Sequence, residues 1–481
     1  MNKRLWKIIY TDFSGAERRA AELINRELGA LVLREKGVYR IKVLPVEKIG
    51  AAVDRNAVVI GVYGENSLIG KYITEAEIPE NGYVVKVFDN PENPELKLAL
   101  ITARDKVNLF YGAVDFVDDY FTKAAPVNVN GLRMADEIFD RGNIPDYYSA
   151  SAPAIKTRAI FTWGHPINDY RGYIDNMARM RLNQLIIWND FVPLNAEDIV
   201  EYAHSYGIQV IWGYAWGWTE DCKSIRLDAD YMDKLSDAAL AQYERDYSNV
   251  PGDGIYFQSF TELHNDYLGG YLVAEAVAEF VNRTAEKILN KYPDLYIQFG
   301  LHAMSVENHI EFIAKVDKRV EIMWEDCGTF PYDYEPEIES GAAFEKAVDF
   351  TDKIIKLRSE GATSVLFKGN MVLDWERFDH QSGPFIMGEA SERIIAHDIE
   401  MLKPIWRHFQ SKWCTQGKYA FDMARHICEK TNGDMAIGIA GQFAGGLWFS
   451  EALCAQILWE CDKEYDEIFD KVSKRRCVDF V

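Results

Sequence analysis

The sequence predicts an α/β protein in which a small N-terminal α/β domain precedes a (β/α)8 TIM barrel. Three observations lead there. From residue 156 to the end, eight apolar strand-like segments alternate with helical ones over about 325 residues. Up to about residue 125 the rhythm differs, with short strands set between turn signals. Eleven of the twelve Trp and all nine His lie after residue 150, which puts the residue types used for proton transfer and sugar stacking in the second region. A doubly wound sheet is the competing architecture, but no G-x-G-x-x-G run supports it.

In the first region, Ala16 to Leu28 has helical spacing and closes at Gly29. Val38–Val46, Val58–Tyr63, Tyr83–Val87 and Leu98–Thr102 run as strands, punctuated by Asn81-Gly82 and Asp89-Asn90-Pro91. Asp105 is placed to cap a helix whose apolar stripe is Leu109, Ala113, Phe116 and Val117. Residues 126–155, with Pro126, Pro145 and Pro153 among polar neighbours, read as a connector. The barrel strands are then expected at Arg158–Trp163, Gln184–Trp188, Gln209–Tyr214, Gly254–Phe260, Leu295–Leu301, Val320–Trp324, Ser364–Phe367 and Met435–Ala440. The first helix between them follows Tyr170, Tyr173, Ile174 and Met177. The second runs from Asn195 through Ile199 and Ala203 to Gly207. A long irregular stretch separates the last two strands.

The chain carries 53 Lys+Arg against 75 Asp+Glu, a formal net charge of −22 over 481 residues. Nucleic acid and anionic membranes are bound by basic surface, so neither is expected as a partner. Residues 48% hydrophobic and 27% charged exclude wholesale disorder. The apolar stretch after Met1-Asn-Lys-Arg is broken at Lys7 and Asp12, too short for a signal-peptide core, and nothing approaches the ~20 apolar residues of a membrane span. Seven cysteines, odd in number and without a C-x-x-C pair, fit reduced cytosolic thiols, so a cytoplasmic location is expected. Neither a cofactor nor a metal is expected.

A barrel builds its active site at the C-terminal ends of its strands. Those ends read Trp163-Gly-His165, Trp188-Asn189-Asp190, Tyr214-Ala-Trp216-Gly-Trp218, Thr261-Glu262-Leu-His264, His302, Trp324-Glu325-Asp326, Lys368-Gly-Asn370 and Gln442. This is a ring of aromatics interleaved with carboxylates and amides. Sugars present flat C–H faces fringed with hydroxyls, and such a ring suits them. A phosphate site would instead need Gly-rich loops and several cations near the last two strands. A small carbohydrate or glycoconjugate is therefore the expected ligand, and the oligomeric state is not legible.

Breaking a glycosidic bond usually requires two carboxyl groups, one to protonate the leaving oxygen and one to act as base or nucleophile. Glu262, past the apolar fourth strand, is the expected general acid. Glu325 or Asp326, at the end of the sixth, is the expected partner, with Glu325 preferred. Successive strand residues point opposite ways, so one of them faces the barrel and the other packs outward. Asp374, Glu376 and Asp190 are held in reserve. His264 and His302 are expected on sugar hydroxyls rather than a metal. Lys368 is expected on a hydroxyl or a substrate carboxylate, and Trp216 and Trp218 in a subsite. The alternative to an enzyme is a sugar-binding protein on an inherited barrel.

Two stretches carry a resemblance. Leu98-Ala-Leu-Ile-Thr-Ala-Arg-Asp followed by Asn108-Leu-Phe-Tyr-Gly-Ala-Val resembles the α/β domain before the barrel in bacterial hexosaminidases, α-glucuronidases and O-GlcNAcase-like glycosidases. Arg158-Ala-Ile-Phe-Thr-Trp-Gly, Tyr173-Ile-Asp-Asn-Met-Ala-Arg-Met and Asn183-Gln-Leu-Ile-Ile-Trp-Asn-Asp190 resemble the opening unit of their barrels. The resemblance implies a glycoside hydrolase with its acid after the fourth strand, at Glu262. Hexosaminidases and O-GlcNAcases use an acidic pair there, whose first member orients the substrate's acetamido group in substrate-assisted cleavage. Thr261 stands at that position in this chain. The α-glucuronidases take their base from later strands, which leaves Glu325 and Asp326 admissible.

Overall fold

The computed structural model describes residues 6–32, 41–51, 54–121, 144–162, 165–189, 191–217, 226–263, 265–303, 305–328, 340–370, 383–441 and 445–481. Two units divide the chain. The first takes in Met1–Pro153, His204–Gly207 and Phe469–Val478, and the second the remainder.

The first unit is built on a six-stranded sheet of β1 (Trp6–Tyr10), β2 (Lys42–Pro45), β3 (Asn56–Val62), β4 (Tyr83–Asp89), β5 (Lys97–Ala103) and β6 (Tyr147–Ser151). Its order is β2-β1-β3-β5-β4-β6; β4 pairs antiparallel with both neighbours, and the other pairings are parallel. Asp105 caps the helix Lys106–Val114 by accepting a hydrogen bond from the Asn108 N–H at 2.8 Å. That helix widens into a π-helical turn, Asp115–Tyr120. There Asp115 accepts hydroxyl hydrogen bonds from Tyr83 (2.9 Å), Tyr147 (2.7 Å) and Ser149 (2.8 Å).

Two strands here escaped the sequence reading. Lys7 interrupts the apolar run of β1, yet it is buried and ion-paired with Asp54, which lets a cation occupy an inner strand. β6 lies inside the expected connector, so the sheet runs on to Ser151. Of the expected strand Val38–Val46, only Lys42–Pro45 is a described strand, and residues 33–40 lie outside the described ones.

The second unit is a closed barrel of parallel strands. It consists of β7 (Arg158–Phe161), β8 (Gln184–Trp188), β9 (Gln209–Ala215), β10 (Gly254–Gln258), β13 (Ile297–Leu301), β14 (Val320–Gly328), β15 (Thr363–Asn370) and β16 (Ala436–Gly441). β16 closes onto β7. A small hairpin of β11 (Tyr267–Leu268) and β12 (Tyr271–Leu272) follows β10. The eight strands fall where the apolar runs put them. The stretch before β16 departs from expectation, because Glu392–Thr431 is one 40-residue helix. Its first part is largely exposed and contains Pro404, and its buried residues, among them Trp406, Phe409, Trp413, Ala420, Phe421, Met423 and Ile427, begin only after it. Among the described residues no helix is long and apolar enough to cross a membrane.

Strand alternation fills the barrel in layers. At the lower end Glu321 of β14 accepts hydrogen bonds from Tyr296 (2.6 Å), Gln298 (3.2 Å) and Ser364. Above it Phe161, Ile186, Ile211, Tyr256, Met323 and Leu366 pack together. Two residues beyond Met323, the same alternation brings Glu325 inward at the mouth. Trp324 turns outward onto Phe350, ring centroids 4.5 Å apart.

One further acid is buried in the second unit. Glu451, in the first turn of the helix Phe449–Glu460, is 1% exposed, and neither oxygen finds a hydrogen-bond partner beyond its own residue among the described residues. Burial raises its carboxyl well above the ordinary 4.5. The folded chain therefore holds a proton that the unfolded chain releases above about pH 4.5, and stability falls as the pH rises through that window. Glu451→Gln removes the titration. Urea midpoints of the wild type are expected to decline from pH 5 to pH 8 relative to the variant, and a constant offset between the two would reject the assignment.

Candidate active site

Glu262 ends the one-turn 3-10 segment Phe260–Glu262 that follows β10, and its side chain is 34% exposed at the mouth. Thr261 beside it is fully buried. Its hydroxyl accepts the His302 backbone N–H at 3.1 Å, and its carbonyl accepts the Ser305 hydroxyl at 2.7 Å. These bonds tie the turn bearing Glu262 to the loop after β13. Position 261 thus braces the turn and supplies no carboxylate for an acetamido group.

His302, the first residue after β13, lies at the junction of two carboxylates. Its Nε2 is 3.0 Å from Glu262 Oε1 and 3.0 Å from Glu325 Oε2. Glu325 is wholly enclosed, with its side chain 0% exposed. Its Oε1 accepts hydrogen bonds from the Tyr256 hydroxyl and, at 2.6 Å, from the Gln258 amide. Burial alone would raise this carboxyl. The charge and hydrogen bond of His302, the charge of Lys368 and the Tyr256 hydroxyl outweigh burial and hold it below its ordinary value. A buried carboxylate without such partners would take up a proton. Gly300 makes the arrangement possible, because a Cβ there would stand 2.0 Å from Tyr256 Oη and 2.2 Å from Glu325 Oε1.

The remaining expected residues separate into three groups. Trp188 ends β8 and Asn189 follows it, both half-buried at the mouth, the Trp188 ring edge-on to Phe161 (6.3 Å) and Tyr256 (6.1 Å). Lys368 is buried on β15, two residues beyond the inward Leu366. His165 is partly exposed as a residue but has its ring buried, which pushes the imidazole down to about 4 and leaves it neutral near pH 7.

Tyr214 and Trp216 do not line the cleft as expected. Tyr214 stacks on Tyr247 (4.1 Å, 12°), and burial raises its phenol. Trp216 is 0% exposed and stacks on Phe257 at 3.6 Å. Both rings belong to the packed wall, where they contribute apolar burial and no sugar platform. Asp326 lies on β14, and its side chain, like that of Asn370 on β15, is outside what is described. Trp163, Asp190, Trp218, His264, Asp374, Glu376 and Gln442 also fall outside the described residues.

Tyr256 and Gln258 are not among the expected residues, because the apolarity of β10 hides them. The period of two starting at Gly254 nevertheless sets both polar groups on the inward face of the strand that precedes Glu262. Among the described residues no group of three or more His, Cys, Asp or Glu is arranged to hold a metal ion.

No protein-family profile matches the chain, and no curated protein matches it in sequence. Solved structures to which it is similar include a GH138 enzyme targeting pectin rhamnogalacturonan II, at 12% identity and TM-score 0.49, covering 96% of this chain and 51% of that one. A family 89 glycoside hydrolase from Clostridium perfringens in complex with PUGNAc is similar at 11% identity and TM-score 0.46, covering 96% and 52%. A β-N-acetylhexosaminidase is similar at 9% identity and TM-score 0.41, covering 82% and 87%. The chain spans about half the length of the first two of these enzymes.

Proposed function

We infer that this protein is a glycoside hydrolase acting on a small carbohydrate or glycoconjugate, with Glu262 as its general acid. The observation that carries this reading is the solvent-facing carboxyl at the end of the fourth barrel strand, backed by His302 and a buried anion. Such a carboxyl can meet a substrate and give a proton, and the groups behind it set when it does so. Trp188 offers an aromatic face at the same mouth. The second carboxylate of the reaction is sought among Asp190, Asp374, Glu376 and Asp326. Substrate-assisted cleavage of N-acetyl sugars finds no support at Thr261.

A panel of aryl glycosides tests the reading: N-acetylglucosaminide, glucuronide, galactoside and glucoside in both anomers. Release of the aryl alcohol from at least one, abolished in a Glu262→Ala variant that still folds, is the expected result. Tight binding of an oligosaccharide with no release from any of them would favour the sugar-binding alternative.

A further inference from the structure

We propose that Glu325 is neither the nucleophile nor the base of the reaction but a positioning residue, which acts through His302 on Glu262. This rests on the reading of Glu262 as the acid. A nucleophile must touch the anomeric carbon and a base must touch the attacking water, yet the Glu325 side chain has no exposed surface, while that of Glu262 is 34% exposed. Its surroundings are protein on both oxygens. Tyr256 and Gln258 donate to Oε1, and the His302 nitrogen lies against Oε2. Among the described residues, the titratable groups that face Glu325 include Tyr256 from β10, His302 just after β13 and Lys368 from β15. Those at the His302 nitrogen include Glu262 and Glu325.

The chemistry follows from what one nitrogen can do. An anion fixed at Oε2 favours the form of the imidazole in which Nε2 carries a hydrogen, because a bare lone pair there would face a negative oxygen. The same nitrogen lies 3.0 Å from Glu262 Oε1. When Glu262 gives its proton to the leaving oxygen, the carboxylate left behind lies beside a ring nitrogen that carries a hydrogen. The proton moves from Glu262 to the leaving group, the glycosidic C–O bond breaks, and His302 and Glu325 keep their protonation states. The buried anion thus makes Glu262 a better proton donor without itself reaching the substrate.

Two measurements test this. The first needs no substrate: 15N NMR of the wild-type protein, with the His302 signal assigned by its loss in His302→Asn. Hydrogen on Nε2 near pH 7 is expected, together with a fall in the His302 titration midpoint in Glu325→Gln. A bare Nε2 in the wild type would overturn the proposal, and so would identical His302 titration in wild type and variant. The second is kinetic. Glu325→Gln is expected to slow substrates with poor leaving groups roughly 10- to 10²-fold and activated aryl glycosides far less, while moving the basic limb of the kcat/KM profile upward. Equal loss on both substrate types would reject it, as would azide restoring turnover of Glu325→Ala with a glycosyl azide as product. If the wild type cleaves no glycoside at all, the hydrolase reading falls, and the NMR measurement still decides the relay.

Discussion

Glu262→Gln is expected to slow hydrolysis of glycosides with poor leaving groups by roughly 10²–10⁴-fold, the usual contribution of a positioned general acid. The amide keeps the shape of the side chain but has no proton to give. An alkyl or sugar alcohol leaves as a strongly basic alkoxide unless it is protonated, so those substrates suffer most. A dinitrophenyl glycoside departs with little help, and its cleavage is expected to fall much less. The structure adds a reason for the split. Glu262 is the exposed member of the Glu262–His302–Glu325 cluster, so a change at its tip removes the donor while the Tyr256 and Gln258 hydrogen bonds to Glu325 stay in place. kcat and KM measured on a leaving-group series check this. A slope of log kcat against leaving-group pKa no steeper than that of the wild type would remove Glu262 from the acid role.

Arg475→Met in the first unit is expected to cost about 3–5 kcal/mol of stability, the penalty of leaving a buried charge without its partner. Arg475 is 7% exposed and Asp119 is 2% exposed. The guanidinium donates from Nε to Asp119 Oδ1 at 2.7 Å and from Nη2 to Oδ2 at 3.0 Å, a bidentate pair. Burial alone would lower the guanidinium's pKa, but the Asp119 charge and hydrogen bond outweigh it and raise the pKa above its ordinary value. Lys471 approaches the same carboxylate at 3.2 Å and is too exposed, at 20%, to replace the fork. Urea unfolding of the variant measures the cost. Asp119→Asn added to Arg475→Met removes the stranded charge and is expected to recover part of the loss. The exposed Lys318–Glu360 pair, broken by Lys318→Met, serves as the control that changes little. A cost at Arg475 no larger than this control would mean that the pair is not sealed from water.

The local pattern was enough to set out the eight barrel strands, because each is a short apolar run between turn signals and a period of two survives without knowledge of its neighbours. It also placed Glu262 at a strand end, where a barrel exposes its side chains to a ligand. Pattern alone could not decide which way a strand-end residue turns, or what it meets. Tyr214 and Trp216 carry the residue types of a sugar platform, but Tyr247 and Phe257 draw them into the wall. Lys7 looks like a break until Asp54 pairs with it, and Glu392–Thr431 looks irregular because its buried face is confined to its second part.

The cluster at the mouth is the clearest case. Glu262, His302 and Glu325 follow or end β10, β13 and β14, which are hydrogen-bonded neighbours in the closed barrel although about 40 and 23 residues separate these three positions in the chain. Sequence by itself determined that each strand would end in a chemically capable side chain. Tertiary structure decided that His302 would touch both carboxylates and that Glu325 would be enclosed. Contacts of that kind depend on the register between strands and on the absence of a side chain at Gly300, and no single segment contains either.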